Sequence, residues 1–229
     1  MTEQDPNVLT VNVAEEINTV EAGVGGGSNP PKEDRGQAEY YERVMKYLQR
    51  YVAPHKVKSR WVTNADIEKL KTEGDVMVNL CTIPKGMYGN VAAIAHSQVE
   101  DKEPLRFFAM PDGLLVVNPV IFKHTSAEIE KSEGCMSYTE EPMKTVPLYH
   151  KITVLYQVLK QKEDGDLELS EMMEEGYAGP LAAIFQHECS HLNGKYIYDE
   201  DYKASDAIGF GEGEITSVDD LKNKYGTNK

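Results

Sequence analysis

Hydrophobic positions along the chain follow two spacings, one typical of helices and one typical of strands. Over residues 37–52, apolar side chains recur every three or four positions, which predicts an amphipathic helix that Pro54 ends. A second helix is expected to begin near Thr63 or Asn64, both residue types that cap helix N-termini. A third is expected to begin at about Pro180, because proline is well tolerated at the first helical position.

The middle of the chain is rich in β-branched and aromatic residues bounded by Gly, Pro and Asp, which is typical of strands. The predicted strands are "VMVNLCTI" at 76–83, "LRFFAM" at 105–110, "GLLVVNPVIF" at 113–122 and "KITVLYQVLKQ" at 151–161. The polar "KEDGD" at 162–166 predicts a turn between the last of these and "LELSEM" at 167–172. After Gly209 the pattern is weak and acidic, so we expect a partly mobile tail.

Composition narrows the class of protein. The chain has 229 residues, 40% apolar and 27% charged, which is enough for one globular domain with a sizeable core. Its net charge of −14 disfavours direct binding to nucleic acid or to anionic membranes, since both need Lys and Arg. No apolar run approaches the length of a membrane span, and the N-terminal sequence lacks a secretory pattern, so we expect a cytoplasmic protein. Three cysteines, an odd and small number, argue against a disulfide framework.

The sequence "FQHECSHLNG", residues 185–194, places the pattern His-Glu-x-x-His on the predicted third helix. His187 and His191 stand one turn apart on one face, where both rings can reach a single metal ion. Glu188 lies at the edge of that face, where its carboxylate can act on a water without binding the metal. A surface helix with two satisfied histidines is the alternative, and the apolar flanks favour the metal site.

Two histidines leave a catalytic metal site incomplete, so the third ligand decides the kind of hydrolase. No histidine follows His191, and Ile197 occupies the position where one zinc-peptidase pattern has its third histidine. A glutamate in the acidic tail is one option. Upstream, Cys135 in "EGCMS" offers a thiolate, a good ligand for a borderline metal, although a lone cysteine is also commonly a small buried hydrophobe.

In order and separation, "EGCMS" and "QHECSHLNG" resemble the second and third motifs of peptide deformylases, EGCxS and QHExDHLxG. The resemblance runs from about residue 85 to 200 and includes "VVNPVI" ahead of the cysteine. It implies an α+β fold in which antiparallel and mixed β-sheets surround the central metal-binding helix. The segments expected on this basis are a divergent N-terminal extension at 1–60 with a Gly- and Pro-rich linker at 22–36, a deformylase-like catalytic domain at 61–205, and an acidic tail at 206–229.

The first motif of that family, GxGxAAxQ, is altered in this chain, where the matching sequence is "VAAIAHSQ" at 91–98. Gln98 is kept, whereas Val91 and Ala93 stand at the glycine positions. Glycine there lets backbone approach a ligand closely, so these residues change the predicted cleft but leave the metal ligands untouched. His96 stands where the family has alanine, and we expect a satisfied structural histidine.

The resemblance implies a role for each matched residue. The implied ligands of one divalent metal ion, Fe²⁺ in the cell with Zn²⁺ or Ni²⁺ as alternatives, are Cys135, His187 and His191. Glu188 is implied as the proton carrier, and the Gln98 side-chain amide and the Met136 backbone N–H as oxyanion donors. Glu133 is expected to stabilise the motif loop. The implied substrate pocket is lined by Ala92, Ala93, Gly134, Ala183 and Ile184.

The reaction implied is removal of the formyl group from N-formylmethionyl peptides on nascent chains, with formate as a product. A metallopeptidase or other amidase of altered specificity is the alternative, and Val91 and Ala93 give it weight. A non-enzymatic interaction protein that retains the fold is a third hypothesis. The joint presence of the metal ligands, Glu188 and Gln98 argues against it, because a binding module needs no such set.

Overall fold

The computed structural model describes residues 52–82, 91–100, 102–210 and 217–225. The helix predicted over 37–52, except for Val52, and the linker predicted over 22–36 lie outside these residues. Within them, the α-helices are α1 (Ile67–Thr82), α2 (Gly179–Leu192) and α3 (Val218–Tyr225). The strands are β1 (Ile94–Ala95), β2 (Phe107–Ala109), β3 (Leu115–His124), β4 (Glu128–Glu133), β5 (Lys144–Tyr149), β6 (Lys151–Gln157), β7 (Leu159–Gln161), β8 (Leu167–Leu169) and β9 (Met173–Ala178).

A five-stranded antiparallel sheet in the order β1-β2-β3-β6-β9 forms the centre of the described fold. The pairing of β3 with β6 shifts register between Val117 and Val120, where Asn118 has a φ of 53° and Pro119 has no N–H for the ladder. Two separate hairpins are β4–β5 and β7–β8. The turn predicted at 162–166 is confirmed, and Gly165 adopts a φ of 93° in it. Antiparallel sheets with packed helices confirm the α+β class.

One predicted strand, "VMVNLCTI" at 76–83, is wrong, because residues up to Thr82 continue α1. The helix follows a capped start at Thr63, whose N–H donates to Asp66 Oδ2 at 2.8 Å. The residues that α1 buries are Leu70, Gly74, Met77, Leu80 and Cys81, a helical spacing that prevails over the β-branched residues between them. A Cβ at Gly74 would lie 2.5 Å from Leu115 Cδ1, so glycine allows α1 to pack closely on β3.

The two larger helices cover opposite faces of the sheet. Phe107 and Ala109 of β2 pack in one hydrophobic cluster with α1, whereas Phe108 between them packs in another with α2. Strands buried on both faces need apolar side chains at nearly every position, which explains the apolar sequence of β2 and, apart from Asn118, of β3 up to Ile121. The sheet-facing side chains of α2 are Ala182, Phe185, Cys189 and Leu192. Phe185 packs edge-to-face on Phe108, with ring centroids 5.2 Å apart, so the opposite face of α2 is left for the histidines.

The weakly patterned segment after Gly209 includes a helix, α3. Leu221 of α3 is fully buried against Trp61 and Leu155. A short helix with few apolar side chains gives little sequence signal, and the packing partners of Leu221 lie far away in the chain. None of the helices among the described residues is long and apolar enough to cross a membrane.

Candidate metal centre

His187 and His191 project from the same face of α2, with ring centroids 4.6 Å apart. Each ring is held through its Nδ1 atom. His187 Nδ1 lies 2.9 Å from Glu133 Oε2, and His191 Nδ1 donates to the carbonyl oxygen of Lys195 at 3.1 Å. Partners of this kind fix the orientation and tautomer of metal-binding imidazoles, and they leave both Nε2 atoms for an ion.

Cys135 reaches the same point from a distant part of the chain. It follows β4 and precedes the 3-10 helix Met136–Tyr138, and its Sγ lies 3.3 Å from His191 Nε2. The ligand atoms of Cys135, His187 and His191 all lie within 4.8 Å of one another, and all three residues are buried. A thiolate and two imidazoles fit a divalent transition metal and leave a tetrahedral position open for water or substrate.

Glu188 lies beside the first histidine and is 4% exposed. Among the described residues, nothing donates a hydrogen bond to its Oε2. Burial raises the pKa of the Glu188 carboxyl to about 7, an effect that the charge of His187 opposes and the charge of Glu133 reinforces. A carboxyl group with such a pKa can accept a proton and return it near neutral pH.

The two imidazoles differ in how firmly they hold a proton. Burial lowers the pKa of His191 well below its usual value, and the nearby charge of His187 lowers it further. Burial also acts to lower the pKa of His187, but hydrogen bonds to Cys135 and Glu133 raise it well above the usual value. Because protons and metal ions compete for the same ring nitrogen, binding of a metal ion at this site would release protons.

Gln98 enters the site from the 3-10 helix His96–Gln98 and is 2% exposed. Its Oε1 accepts a hydrogen bond from the N–H of Ala95 at 2.8 Å, and its Nε2 donates to Ser137 Oγ at 2.9 Å. Nε2 also lies 3.8 Å from Cys135 Sγ. With Oε1 held by backbone, the donor end of the amide faces the metal ligands.

Met136, the other predicted oxyanion donor, is the first residue of its 3-10 helix and directly follows Cys135. The first hydrogen bond of that turn runs from the N–H of Tyr138 to the carbonyl oxygen of Cys135 at 3.0 Å. The N–H of Met136 lies before the donor of this bond in the chain, so it is not used in closing the turn. The structure thus brings Met136, Gln98 and Cys135 to one place.

A cleft of about 520 Å³ opens over these residues. Its walls include the five residues predicted to contact substrate, namely Ala92, Ala93, Gly134, Ala183 and Ile184. Gln98, Cys135, His187 and Glu188 line the same cleft, whereas His191 is fully buried. All the predicted site residues therefore meet in one part of the molecule.

Some residues of this site did not emerge from the sequence. The additional cleft residues include Lys131, Tyr138, Glu141 and Met143. Ser137 holds the Gln98 amide, and its place at the end of "EGCMS" was the available signal. Among the described contacts, Glu133, expected to stabilise the motif loop, lies 2.9 Å from Nδ1 of the His187 ring and 4.0 Å from Nζ of Lys131.

A buried Cys-His-His metal site, with a carboxyl group beside it and an open cleft above it, defines a metal-dependent hydrolase. A sequence model of the family described as polypeptide deformylase matches residues 67–206, more than half of the chain. The chain belongs to the peptide deformylase family. The Cys135, His187 and His191 group accordingly implies one metal ion.

Individual proteins that are similar to this chain in sequence or in fold are also peptide deformylases. A peptide deformylase of Staphylococcus epidermidis is 27% identical over 150 residues, which is 60% of this chain and 77% of that protein. One of Thermotoga petrophila is 37% identical over 97 residues, 41% of this chain and 53% of the relative. The crystal structure of a class I type b peptide deformylase from Acinetobacter baumannii has the same fold, with a TM-score of 0.51 and 24% identity over 66% of this chain and 97% of that chain.

Proposed function

We propose that the chain hydrolyses the formyl C–N bond of N-formylmethionyl peptides and yields formate and a free amino terminus. The observation that carries the proposal is the convergence of the ligand atoms of Cys135, His187 and His191 beside a cleft that Glu188 and Gln98 line. Cys135 and His191 are 56 residues apart in sequence, so their 3.3 Å contact depends on the whole fold. In this proposal the substrates are nascent chains in the cytoplasm, and residues 61–205 form the catalytic unit.

Cys135, His187 and His191 would hold the divalent ion, which we propose is Fe²⁺ in the cell, with Zn²⁺ and Ni²⁺ as alternatives. When bound, the ion supplies a Lewis acid that lowers the pKa of a coordinated water and polarises the formyl carbonyl. Glu133 and Lys195 keep the two rings in place while the ligands bind.

Glu188 moves the proton. Its buried Oε2, which has no hydrogen-bond partner among the described residues, accepts a proton from water as the water oxygen attacks the formyl carbon. The same carboxyl group then donates that proton to the departing nitrogen as the C–N bond breaks. A pKa of about 7 suits both transfers, because the protonated and ionised forms of Glu188 are close in free energy near neutral pH.

Gln98 and Met136 stabilise the negative charge that develops on the formyl oxygen. The two donors are the Nε2–H of Gln98, which lies 3.8 Å from Cys135 Sγ, and the backbone N–H of Met136, the residue after Cys135. Loss of one such donor typically costs on the order of 10²–10³ in rate. The Oε1 contact with Ala95 keeps the Gln98 amide from turning its acceptor toward the oxyanion.

The methionine side chain of the substrate would enter the apolar part of the cleft. That part is formed by small or aliphatic side chains, namely Ala92, Ala93, Ala183 and Ile184. Alanines leave room for a long, unbranched side chain, and apolar walls favour its transfer from water.

Formate release from a formyl-Met peptide tests the proposal, with protein purified anaerobically and its metal content measured. Glu188→Ala should lower turnover by at least about 10³-fold while one metal ion per chain remains bound. Glu174→Ala, an exposed carboxylate on β9, is the matched control and should keep full activity. Full activity in Glu188→Ala, or unaltered protein that binds no divalent metal, would overturn the proposal.

An amidase of altered specificity is the second candidate, and Val91 and Ala93 favour it. Both are buried and line the cleft where the family motif has glycines. Peptides with a formyl, an acetyl or no blocking group separate the candidates. A higher kcat/KM on acetylated or unblocked peptides than on formylated ones would support the second.

A further inference from the structure

Resting on the proposed function, we propose that His96, anchored by Glu73 of α1, is a positioning residue that holds the Gln98 amide in its catalytic place. The position of Gln98 then depends on the hydrogen bond between His96, two residues earlier in the same turn, and Glu73 on α1. Neither His96 nor Glu73 touches the metal ligands in the described contacts, so both act through Gln98.

The His96 ring is held on every side. It is 1% exposed, and it stacks on Phe107 with ring centroids 4.7 Å apart and an interplanar angle of 28°. Its Nδ1 accepts a hydrogen bond from the N–H of Leu105 at 2.8 Å, which places the ring proton on Nε2. That Nε2 lies 2.6 Å from Glu73 Oε2 and donates to it. The tautomer and the rotamer of His96 are both determined by these partners.

The held ring in turn determines the course of the backbone that carries Gln98. The carbonyl oxygen of His96 accepts hydrogen bonds from the N–H groups of Val99 and Glu100, both at 3.0 Å. These bonds close the turn around Gln98. The residue before the histidine, Ala95, donates its N–H to Gln98 Oε1 at 2.8 Å. Movement of His96 therefore displaces both the turn that carries Gln98 and the Ala95 N–H that holds its side-chain oxygen.

Glu73 is the member of this arrangement that can be changed with the least damage to the core. Its side chain is 32% exposed, whereas His96 is almost fully buried. Its other oxygen, Oε1, lies 3.8 Å from Lys69 Nζ on the same helix, a weak surface pair. Truncation of Glu73 leaves the His96 Nε2–H without its acceptor and frees the ring to move.

A purely structural role for the pair would lower stability without a specific effect on the chemical step. A positioning role lowers kcat more than it raises KM, because the Gln98 donor matters most in the transition state. The effect of Glu73 should also vanish when Gln98 is absent, since the two act through one interaction.

The experiment measures kcat and KM for formate release in Glu73→Ala and Glu73→Gln, each with Gln98 and with Gln98→Ala. Glu73→Ala should lower kcat about 10-fold with KM changed less than about 2-fold. Glu73→Gln keeps an acceptor for the His96 N–H and should recover most of the loss. With Gln98→Ala present, Glu73→Ala should cost less than about 2-fold more. Asp75→Ala, on the same helix and exposed, is the matched control.

An NMR measurement on isotope-labelled protein tests the positioning role without relying on enzyme turnover. The side-chain amide resonances of Gln98, identified by their loss in Gln98→Ala, should shift in Glu73→Ala and stay in place in Asp75→Ala. An inactive wild-type enzyme would refute the proposed function and leave this measurement valid. Unmoved Gln98 resonances, or an equal loss of kcat with and without Gln98, would refute the positioning role.

Discussion

Glu133 Oε2 lies 2.9 Å from Nδ1 of His187, and the two residues are 54 positions apart in the chain. Glu133 is the last residue of β4, and Cys135 follows two positions later. The end of one strand therefore supplies both a proposed metal ligand, Cys135, and the group that orients a second proposed ligand, His187, on α2. Because Glu133 is 9% exposed, the contact is largely shielded from water.

Glu133→Gln should weaken metal binding about 10- to 100-fold, the usual cost of losing an outer partner of a metal-binding histidine. The amide keeps the shape of the side chain but loses the negative charge that holds the His187 ring. Competition with a chelator of known affinity measures the change. Glu130→Gln on the same strand is exposed and serves as control, and an equal effect of both substitutions would contradict the assignment.

Ser137→Ala should lower kcat for formate release about 3- to 10-fold, since a single neutral hydrogen bond contributes roughly 0.5–1.5 kcal/mol. The Ser137 Oγ accepts from Gln98 Nε2 at 2.9 Å, so its loss lets the amide swing away from Cys135. Steady-state kinetics on a formyl-Met peptide provide the measurement. Ser126→Ala, an exposed serine outside the site, should behave as wild type, and unchanged kcat in Ser137→Ala would remove Ser137 from the mechanism.

Sequence spacing alone predicts the relative positions of site residues that share one helix or strand. His187, Glu188 and His191 share one helix, and three- and four-residue spacing fixes their relative directions before any tertiary contact is known. The resemblance of "EGCMS" and "VAAIAHSQ" to family motifs then points to Cys135 and Gln98. The error at 76–83 has a physical cause, because β-branched residues favour strands only weakly, and α1 gains more by burying one face.

Contacts between distant segments could not be read from spacing. The His96–Glu73 hydrogen bond joins residues 23 positions apart, and it exists because the turn after β1 packs against α1. The helix α3 is a similar case, since Leu221 is buried by residues of other elements. Hydrophobic period determines which face of an element is buried, whereas its partner is determined by the whole packing.

Asp66→Asn should lower the free energy of unfolding by about 1 kcal/mol at neutral pH. Hydrogen bonding to Arg60 lowers the pKa of Asp66 from 3.8 to about 2, and the Nη1 and Nη2 atoms of Arg60 donate to the carboxylate at 3.0 and 2.8 Å. The pKa shift of Asp66 taken alone corresponds to a larger free energy of unfolding. We expect less than that, because Arg60 is 32% exposed and water screens the pair. Asparagine keeps an acceptor for Thr63, so the substitution tests the charge.

The sign of the pH dependence follows from the lowered pKa. A carboxyl group with a depressed pKa stabilises the fold fully above its unfolded value and loses that contribution as pH falls through the folded value. The difference between wild type and Asp66→Asn should therefore shrink between pH 3.8 and about 2. Urea unfolding at several pH values measures it, with Asp75→Asn as an exposed control. A difference that grows on acidification would contradict the account.

Arg106→Lys should lower the free energy of unfolding by about 2–4 kcal/mol, although it keeps the charge. The Arg106 guanidinium is fully buried and donates to the carbonyl oxygens of Pro119 and Gly209 and to Asn193 Oδ1, at 2.9 to 3.0 Å. Burial lowers the pKa of Arg106 to about 10, so the group stays charged at neutral pH. A compact ammonium group cannot reach three acceptors in these directions, and some stay unpaired in the core.

Asn193 is the C-cap of α2, so the same substitution should also loosen the helix that carries the proposed metal ligands His187 and His191. Urea unfolding gives the stability, and chelator competition gives the metal affinity. Arg60→Lys, a partly exposed arginine, should cost about 1 kcal/mol or less and leave the metal affinity unchanged. If Arg106→Lys costs no more than Arg60→Lys, neither the three hydrogen bonds of the guanidinium nor its packing over Trp61 holds this end of the fold.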